Sequence, residues 1–250
     1  MSESEKPQAL TRERNWALFL DVDGTLLDIE DHPDLVLADS DLQQMIDDLS
    51  RMHSGAVALI SGRSLSELDR IFDGLEIPAA GSHGHELRLP DGSVEDHAFE
   101  IPQSSIERLE AFAHRRSGLH LEHKPSSVAL HYRAAPDLAE DVVDRMTDVR
   151  NELGDEFSII RGKMVVELLP AFADKGSAVR YFMTMRPFAG RQPVFIGDDV
   201  TDEAGFDAAN TLGGHSIRIG ARAGSAAKWC LPDVDGLHAW LRSGLGSCAR

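Results

Sequence analysis

The chain has 250 residues, 42% of them hydrophobic, enough to bury a full core as one large domain or two modest ones. Lys and Arg number 25 against 42 Asp and Glu, a formal net charge of −17, so the field around the molecule repels nucleic-acid phosphates and anionic lipid. Neither nucleic acid nor membrane is an expected partner, no obligate protein partner is evident, and two cysteines, Cys230 and Cys248, are too few for a disulfide framework or a zinc site.

The opening segment, MSESEKPQALTRERN, is polar and carries both signs of charge, and the apolar run after it is too short for a signal sequence or a membrane span. A cytoplasmic location is therefore expected. That run, Trp16 to Leu20 (WALFL), reads as a buried strand, and it is cut off by Asp21-Val22-Asp23-Gly24-Thr25. AVALI (Ala56 to Ile60) repeats the pattern and is followed by Ser61-Gly62-Arg63 and then Ser64-Leu65-Ser66-Glu67, a capping-box start for a helix through Phe72.

From about Ile101 to Pro170 the rhythm changes. SIERLEAFAHRR predicts a helix, LHLEHK and VALHYR paired strands, PDLAEDVVDRMTDVRNEL a second helix, and FSIIRG with KMVVELL another strand pair. This αββαββ block is long enough for a core of its own. Beyond it, Lys175 to Met185 predicts a helix, and PVFIG (Pro193 to Gly197) a third buried strand, followed by Asp198-Asp199-Val200-Thr201-Asp202-Glu203. The alternation of strand, loop and helix implies an α/β fold, a doubly wound parallel Rossmann-like sheet that binds ligands at the carboxyl ends of its strands. The expected division is a discontinuous core, residues 1–101 and 171–250, with residues 102–170 inserted as an α+β cap.

Two carboxylates one residue apart at a strand end, with Gly24 permitting a sharp turn, suit a nucleophile and a proton donor: Asp21 to attack phosphorus, Asp23 to protonate the leaving alcohol and then activate water. A single Asp-Gly pair at a strand end is usually only a terminator; the second acidic cluster, Asp198 to Glu203, weakens that explanation. Four or five carboxylates at one edge repel strongly unless a divalent cation lies among them, and oxygen ligands suit Mg2+. Ser61 and Gly62 open a capped helix whose free N–H groups can hold phosphate oxygens, though Ser before a helix is often just a cap. Lys175 begins a helix, where a cation opposes the dipole; a phosphate and the aspartates would supply its partners, against the plainer alternative of a solvated surface lysine.

The ordered set DVDGT, ISGR, DKG and GDDVTDE resembles the four motifs of the haloacid dehalogenase superfamily of phosphotransferases, and the αββαββ insert is similar to its larger type of cap. That resemblance implies magnesium and aspartyl-phosphate chemistry on Asp21, Asp23, Ser61, Lys175 and Asp198. The ion would be held by the carboxylates of Asp21 and Asp198 and the main-chain carbonyl of Asp23, with Asp199 and Asp202 supporting it. More finely, LISGRSLSELD, GSHGHE, LEHKPSSVALHYR, KMVVELLP and FIGDDVTDEAGF resemble the bacterial trehalose-6-phosphate phosphatase family. This implies a sugar phosphate as substrate: hydrolysis of trehalose 6-phosphate to trehalose and phosphate, in trehalose biosynthesis. The chain departs from the family in having His85 after the His-Gly pair and Leu169 before Pro170.

Alternation within the insert adds candidates. Glu122 and Lys124 share one strand face, and His131 and Arg133 share one face of the next strand, opposite Val128, Leu130 and Tyr132. With Glu167, and with Ser82, His83 and Gly84 of GSHGHE, they form the expected sugar-binding set. Three other readings compete. A signalling receiver domain uses similar residues but would be about half this length. A silent sugar-phosphate binding protein would not need Asp21 and Asp23 intact. A sucrose phosphatase or a mannosyl-glycerate phosphate phosphatase would differ in cap residues only.

Overall fold

The computed structural model describes residues 7–11, 14–29, 36–73, 75–96, 101–123, 127–162, 164–171, 174–221 and 224–246. In chain order the elements are β1 (Trp16–Leu20), α1 (Ser40–Met52), β2 (Val57–Ile60), α2 (Leu65–Phe72), β3 (Ala79–Gly81), β4 (Glu86–Arg88) and β5 (Val94–Asp96). Then come α3 (Gln103–His114), β6 (His120–His123), β7 (Val128–His131), α4 (Ala139–Leu153), β8 (Phe157–Gly162) and β9 (Val165–Pro170). The last set is α5 (Lys175–Phe182), β10 (Gln192–Gly197), α6 (Glu203–Thr211), β11 (His215–Ile219), β12 (Trp229–Leu231) and α7 (Val234–Gly246). The chain divides into two compact units, Met1–Asp96 with Asp174–Arg250, and His97–Ala173.

The first unit is built on an eight-stranded sheet of order β12-β11-β10-β1-β2-β3-β4-β5. Its strands run parallel from β12 to β3, and β4 and β5 close one edge antiparallel. A strand covered on both faces has no position for a polar side chain, which is why WALFL reads as a continuous apolar run. Trp16, Leu18 and Leu20 enter the core on the α1, α2 and α7 side, and Ala17 and Phe19 enter the core with Phe182, Phe195 and Phe206. Helix α1 buries Leu42, Met45, Ile46 and Leu49, one helical stripe, behind the N-cap carboxylate of Asp39, which accepts from Leu42 N–H at 2.8 Å. Helix α2 opens with the expected reciprocal cap between Ser64 and Glu67.

The second unit is a four-stranded antiparallel sheet, order β6-β7-β9-β8, with its own core. Val128, Leu130, Val166 and Leu168 alternate along β7 and β9 and pack with Leu109 of α3 and Val142, Met146 and Val149 of α4. All of the predicted elements of this block are present, with two adjustments. The second helix starts as a 3-10 turn at Pro136–Leu138 before α4, and strand β7 stops at His131. Tyr132 N–H still reaches Met164 O at 3.0 Å, but Ala135 N–H turns back to Tyr132 O. Arg133 therefore lies exposed in a turn, off the strand face that parity assigned to it. Helix α5 likewise ends at Phe182 rather than Met185, because Thr184 and Met185 N–H bond three residues back, to Tyr181 O and Phe182 O. No helix among the described residues is long and apolar enough to cross a membrane.

Candidate active site

Four segments of the first unit converge at the carboxyl ends of β1, β2 and β10. Asp21 extends β1 by one rung, its N–H reaching Ile196 O at 3.0 Å, so its side chain leaves the sheet where the strand stops. Gly24 then turns the chain at φ +77°, and a Cβ there would stand 2.3 Å from Asp198 Oδ2; only glycine lets the two acidic loops approach this closely. Thr25 is fully buried, and its hydroxyl donates to Asp21 Oδ2 at 3.0 Å, with Asp198 Oδ1 at 3.3 Å.

The loop after β10 folds back on itself for a similar reason. A Cβ on Gly197 would lie 2.3 Å from Asp202 Cγ, so the glycine leaves room for that carboxylate beneath the loop. Asp202 Oδ2 there accepts the main-chain N–H groups of Asp198 at 3.0 Å and Asp199 at 2.9 Å. Its Oδ1 accepts Lys175 Nζ at 2.7 Å. Lys175 lies at the start of α5, behind the N-cap of Asp174, and its ammonium also donates to Asp21 Oδ1 at 2.6 Å. The lysine is buried, not solvated: 4% of its side chain is exposed, against 5% for Asp21 and none for Asp202.

Asp21, Asp198 and Asp202 thus bring ligand oxygens within 4.8 Å of one another, and the Lys175 ammonium bonds Asp21 and Asp202 of the three. Burial first, and the Asp202 charge second, push the Asp21 carboxyl up to about 7 despite Lys175. Asp198 is raised by the same two causes in the same order. Burial works to lower Lys175, but the Asp21 and Asp202 charges outweigh it and hold the ammonium above its ordinary value. One lysine does not neutralise three carboxylates. An all-oxygen cluster with charge to spare fits a hard divalent cation such as Mg2+.

Asp23 points elsewhere. Its carboxylate is gripped by the Arg63 guanidinium, with Nε to Oδ2 at 2.7 Å and Nη2 to Oδ1 at 2.6 Å. Ser61 is buried at the end of β2; its N–H continues the sheet to Ala80 O and its hydroxyl accepts Arg63 N–H at 3.2 Å, so it shapes the loop in which Gly62 is exposed. It is not the helix cap, a role filled by Ser64. Asp199 is exposed, and its side chain caps the short 3-10 turn Val200–Asp202 instead of joining the cluster. On β11, Arg218 donates to the main-chain oxygen of Asp198 and lies 3.6 Å from Glu203 Oε1.

Ser82 and Gly84 stand in a 3-10 turn after β3. The Ser82 hydroxyl donates to Glu86 Oε2 at 3.0 Å, and the same oxygen accepts Leu65 N–H at 2.9 Å, so this loop is tied to the start of α2. His85 is buried beside it. Lys124 and the side chain of His83 lie outside the described residues. In the second unit Glu122, Ala129 and Glu167 are in register across β6, β7 and β9 and so share one sheet face. His131 Nε2 lies 2.8 Å from Glu122 Oε2, and the Ser127 hydroxyl donates to Glu167 Oε1 at 2.5 Å. Glu122, His131 and Glu167 are thereby gathered; Arg133 is not.

Sequence reasoning assigned no role to Thr25, Arg63 or Arg218. The first two stand inside the motifs DVDGT and ISGR, whose spacing marks the loops but not which side chain reaches across. Arg218 follows no motif; its only signal is a cation between Ile217 and Ile219 in a short strand.

Comparison with known proteins adds an independent line. A family model described as trehalose-phosphatase matches residues 19–234. A probable trehalose-phosphate phosphatase of Sinorhizobium fredii is 44% identical over 229 residues, covering 90% of this chain and 85% of that protein. The trehalose-6-phosphate phosphatase of Escherichia coli is 39% identical over 230 residues, with the same coverage of 90% and 85%. Among solved structures, Aspergillus fumigatus trehalose-6-phosphate phosphatase superposes with a TM-score of 0.76 at 25% identity, covering 97% of this chain and 99% of that one. A Bacteroides thetaiotaomicron protein of the haloacid dehalogenase superfamily shares the fold, with a TM-score of 0.58 at 17% identity over 98% and 97% of the two chains.

Proposed function

The chain belongs to the trehalose-phosphatase family, and from that premise we propose that it hydrolyses trehalose 6-phosphate through a phosphoryl group carried on Asp21. The observation that carries the chemistry is the convergence of the Asp21, Asp198 and Asp202 carboxylates at the carboxyl edge of the sheet, with Lys175 bonded to Asp21 and Asp202. Asp21 and Asp198, with the main-chain carbonyl of Asp23, would hold Mg2+. The ion supplies positive charge opposite the phosphate oxygens.

The remaining work falls to the side chains. A carboxylate oxygen of Asp21 bonds to phosphorus as the bond from phosphorus to the sugar oxygen breaks, and Asp23 gives its proton to that oxygen. Asp23 then takes a proton from water, whose oxygen bonds to phosphorus as the bond to Asp21 breaks, returning Asp21 as a carboxylate. Thr25 and Lys175 hold the two oxygens of Asp21 from different directions, fixing the plane in which it attacks. Lys175 also offsets charge that the incoming phosphate adds. In the loop after β2 the Ser61 and Arg63 N–H groups are already held by Ala80 O and the Ser61 hydroxyl, so the main-chain N–H of the exposed Gly62 is the group that receives a phosphate oxygen.

The antiparallel unit acts as the cap that selects the sugar. Glu122, His131 and Glu167 present carboxylates and an imidazole on one sheet face, acceptors suited to hydroxyls, and Lys124, Ser82, His83 and Gly84 complete the proposed set, from which Arg133, in a turn off that face, drops out. Phosphate release measured over disaccharide and monosaccharide phosphates, with and without Mg2+, tests the whole reading. Trehalose 6-phosphate should lead and should need the metal; a preference for sucrose 6-phosphate, or equal rates on all esters, overturns the substrate.

A further inference from the structure

We propose that Arg63 is the positioning residue of Asp23, the group that sets the direction in which the proton donor and acceptor acts. This rests on the reading of Asp23 as the acid and base. Both carboxylate oxygens are held, at 2.7 Å by Nε and 2.6 Å by Nη2, a two-point fork that fixes the plane of the carboxylate as well as its place. A single hydrogen bond leaves rotation about the Cβ–Cγ bond; the fork removes it.

The fork is itself anchored. The Arg63 side chain is 11% exposed, while that of Asp23 is 35% exposed, so the arginine is the more buried and more fixed partner. Its main chain is held from both sides, its N–H by the Ser61 hydroxyl at 3.2 Å and its carbonyl by Ser82 N–H at 2.7 Å. The next residue is the N-cap of α2. Asp23, by contrast, stands next to a glycine with positive φ, in a turn whose main chain leaves the sheet at Asp21. Of the two, the arginine has the backbone fit to act as a reference point.

The chemistry gives the arrangement a purpose. Asp21 is fixed by Thr25 and Lys175, but neither of those groups bonds to the Asp23 side chain among the described residues. The leaving oxygen and the attacking water both lie on the line through phosphorus opposite Asp21, so Asp23 must serve one direction in both half-reactions. Lysine cannot replace the fork, since an ammonium presents donors to one point and lacks the planar pair.

A double-mutant cycle decides the matter, with kcat and KM followed by phosphate release at high enzyme concentration. Arg63→Ala should lower kcat roughly 10²-fold with KM little changed, and Arg63→Lys should recover only part of it. In the Asp23→Asn background, Arg63→Ala should cost no more than about twofold, because the group it positions no longer exchanges protons. If Arg63→Ala multiplies the Asp23→Asn loss by the factor seen in wild type, or leaves wild-type kcat intact, the arginine does not act through Asp23. Should Arg63→Ala fail to fold, Arg63→Lys in the same cycle reads the same coupling. Wild-type turnover by Asp23→Asn alone overturns the acid and base assignment of Asp23, and with it this proposal, a result distinct from an uncoupled arginine.

Discussion

The ammonium of Lys175 lies 2.7 Å from Oδ1 of Asp202, a carboxylate with no exposed surface, and the two are joined across 27 residues of sequence by this contact. Removing the lysine charge leaves Asp202 and Asp21 buried without their cation. Lys175→Met should therefore lower stability by about 3–5 kcal/mol at pH 7 and abolish turnover. Urea unfolding read with and without Mg2+ checks it. Mg2+ should return part of the loss, because it replaces the missing positive charge, and an unshifted midpoint in metal-free buffer would show that the triad carries no structural weight.

Asp21→Asn should behave in the opposite way toward stability. Burial already pushes the Asp21 carboxyl up to about 7, so a neutral amide of the same shape suits the metal-free site about as well as the charged group. Turnover should fall by at least about a thousandfold, since the amide does not attack phosphorus. Wild-type-like phosphate release by this variant sinks the covalent mechanism. A beryllium fluoride or aluminium fluoride adduct should form on Asp21 of the wild type and be absent from the variant.

Asp198→Ala and Asp23→Asn separate metal binding from proton transfer. Asp198 contributes an oxygen to the cluster, and its loss should raise the Mg2+ concentration needed for half-maximal rate by roughly tenfold or more, with partial recovery in excess metal. Asp23→Asn should stay slow at every Mg2+ concentration. An identical metal dependence for the two variants contradicts the division of roles.

Glu122→Ala and Glu167→Ala should each lower kcat/KM for trehalose 6-phosphate by roughly tenfold to a hundredfold, the cost of unpairing a sugar hydroxyl. p-Nitrophenyl phosphate should be hydrolysed nearly as before. Parallel losses on both esters would place these carboxylates in the stability of the antiparallel unit instead.

His53, buried ahead of β2, supplies a pH signature remote from the chemistry. Burial first, then the Arg191 charge, lowers its pKa from 6.5 to about 4. The folded value lies below the unfolded one, so the unfolded chain binds the extra proton, and stability is full above pH 6.5 and is lost as pH falls toward 4. The difference corresponds to about 3 kcal/mol at most. Urea midpoints at pH 7 and pH 5 should diverge less in His53→Leu than in wild type; an equal divergence would assign the acid lability to other groups.

The parts of the molecule legible in its sequence are those governed by local rules. Trp16 to Leu20 shows itself because a strand buried on both faces leaves no polar position, and Ser64 with Glu67 because a capping box is a four-residue event. Asp21 and Asp198 were visible as strand-end carboxylates. What stayed hidden depends on which side chain spans a gap. Arg63 and Asp23 are 40 residues apart, and nothing in ISGR says that its arginine turns to the first acidic loop. The hydroxyl of Ser82, expected to face a sugar, donates to Glu86 because that carboxylate is also tied to the start of α2. Parity misplaced Arg133, since a strand ends where its partner ends, at Met164, and not where alternation ends.

The central position of β1 between β2 and β10 has a kinetic consequence. One neighbour follows β1 within a few tens of residues, while the other arrives after the whole antiparallel unit has passed; Trp16 O and the Arg191 guanidinium are 175 residues apart in sequence. During synthesis the second unit emerges with the strands and helices of its own sheet and core in hand, whereas the larger sheet must wait with one side of its first strand unpaired. With the roles proposed above, the selector would fold before the catalyst is assembled, and the slow step of maturation should be a loop closure over most of the chain. Refolding should accordingly be biphasic, with protection of β7 and β9 amides preceding that of β1, and the interval between the two phases is the period in which the apolar edge of β1 is exposed to aggregation.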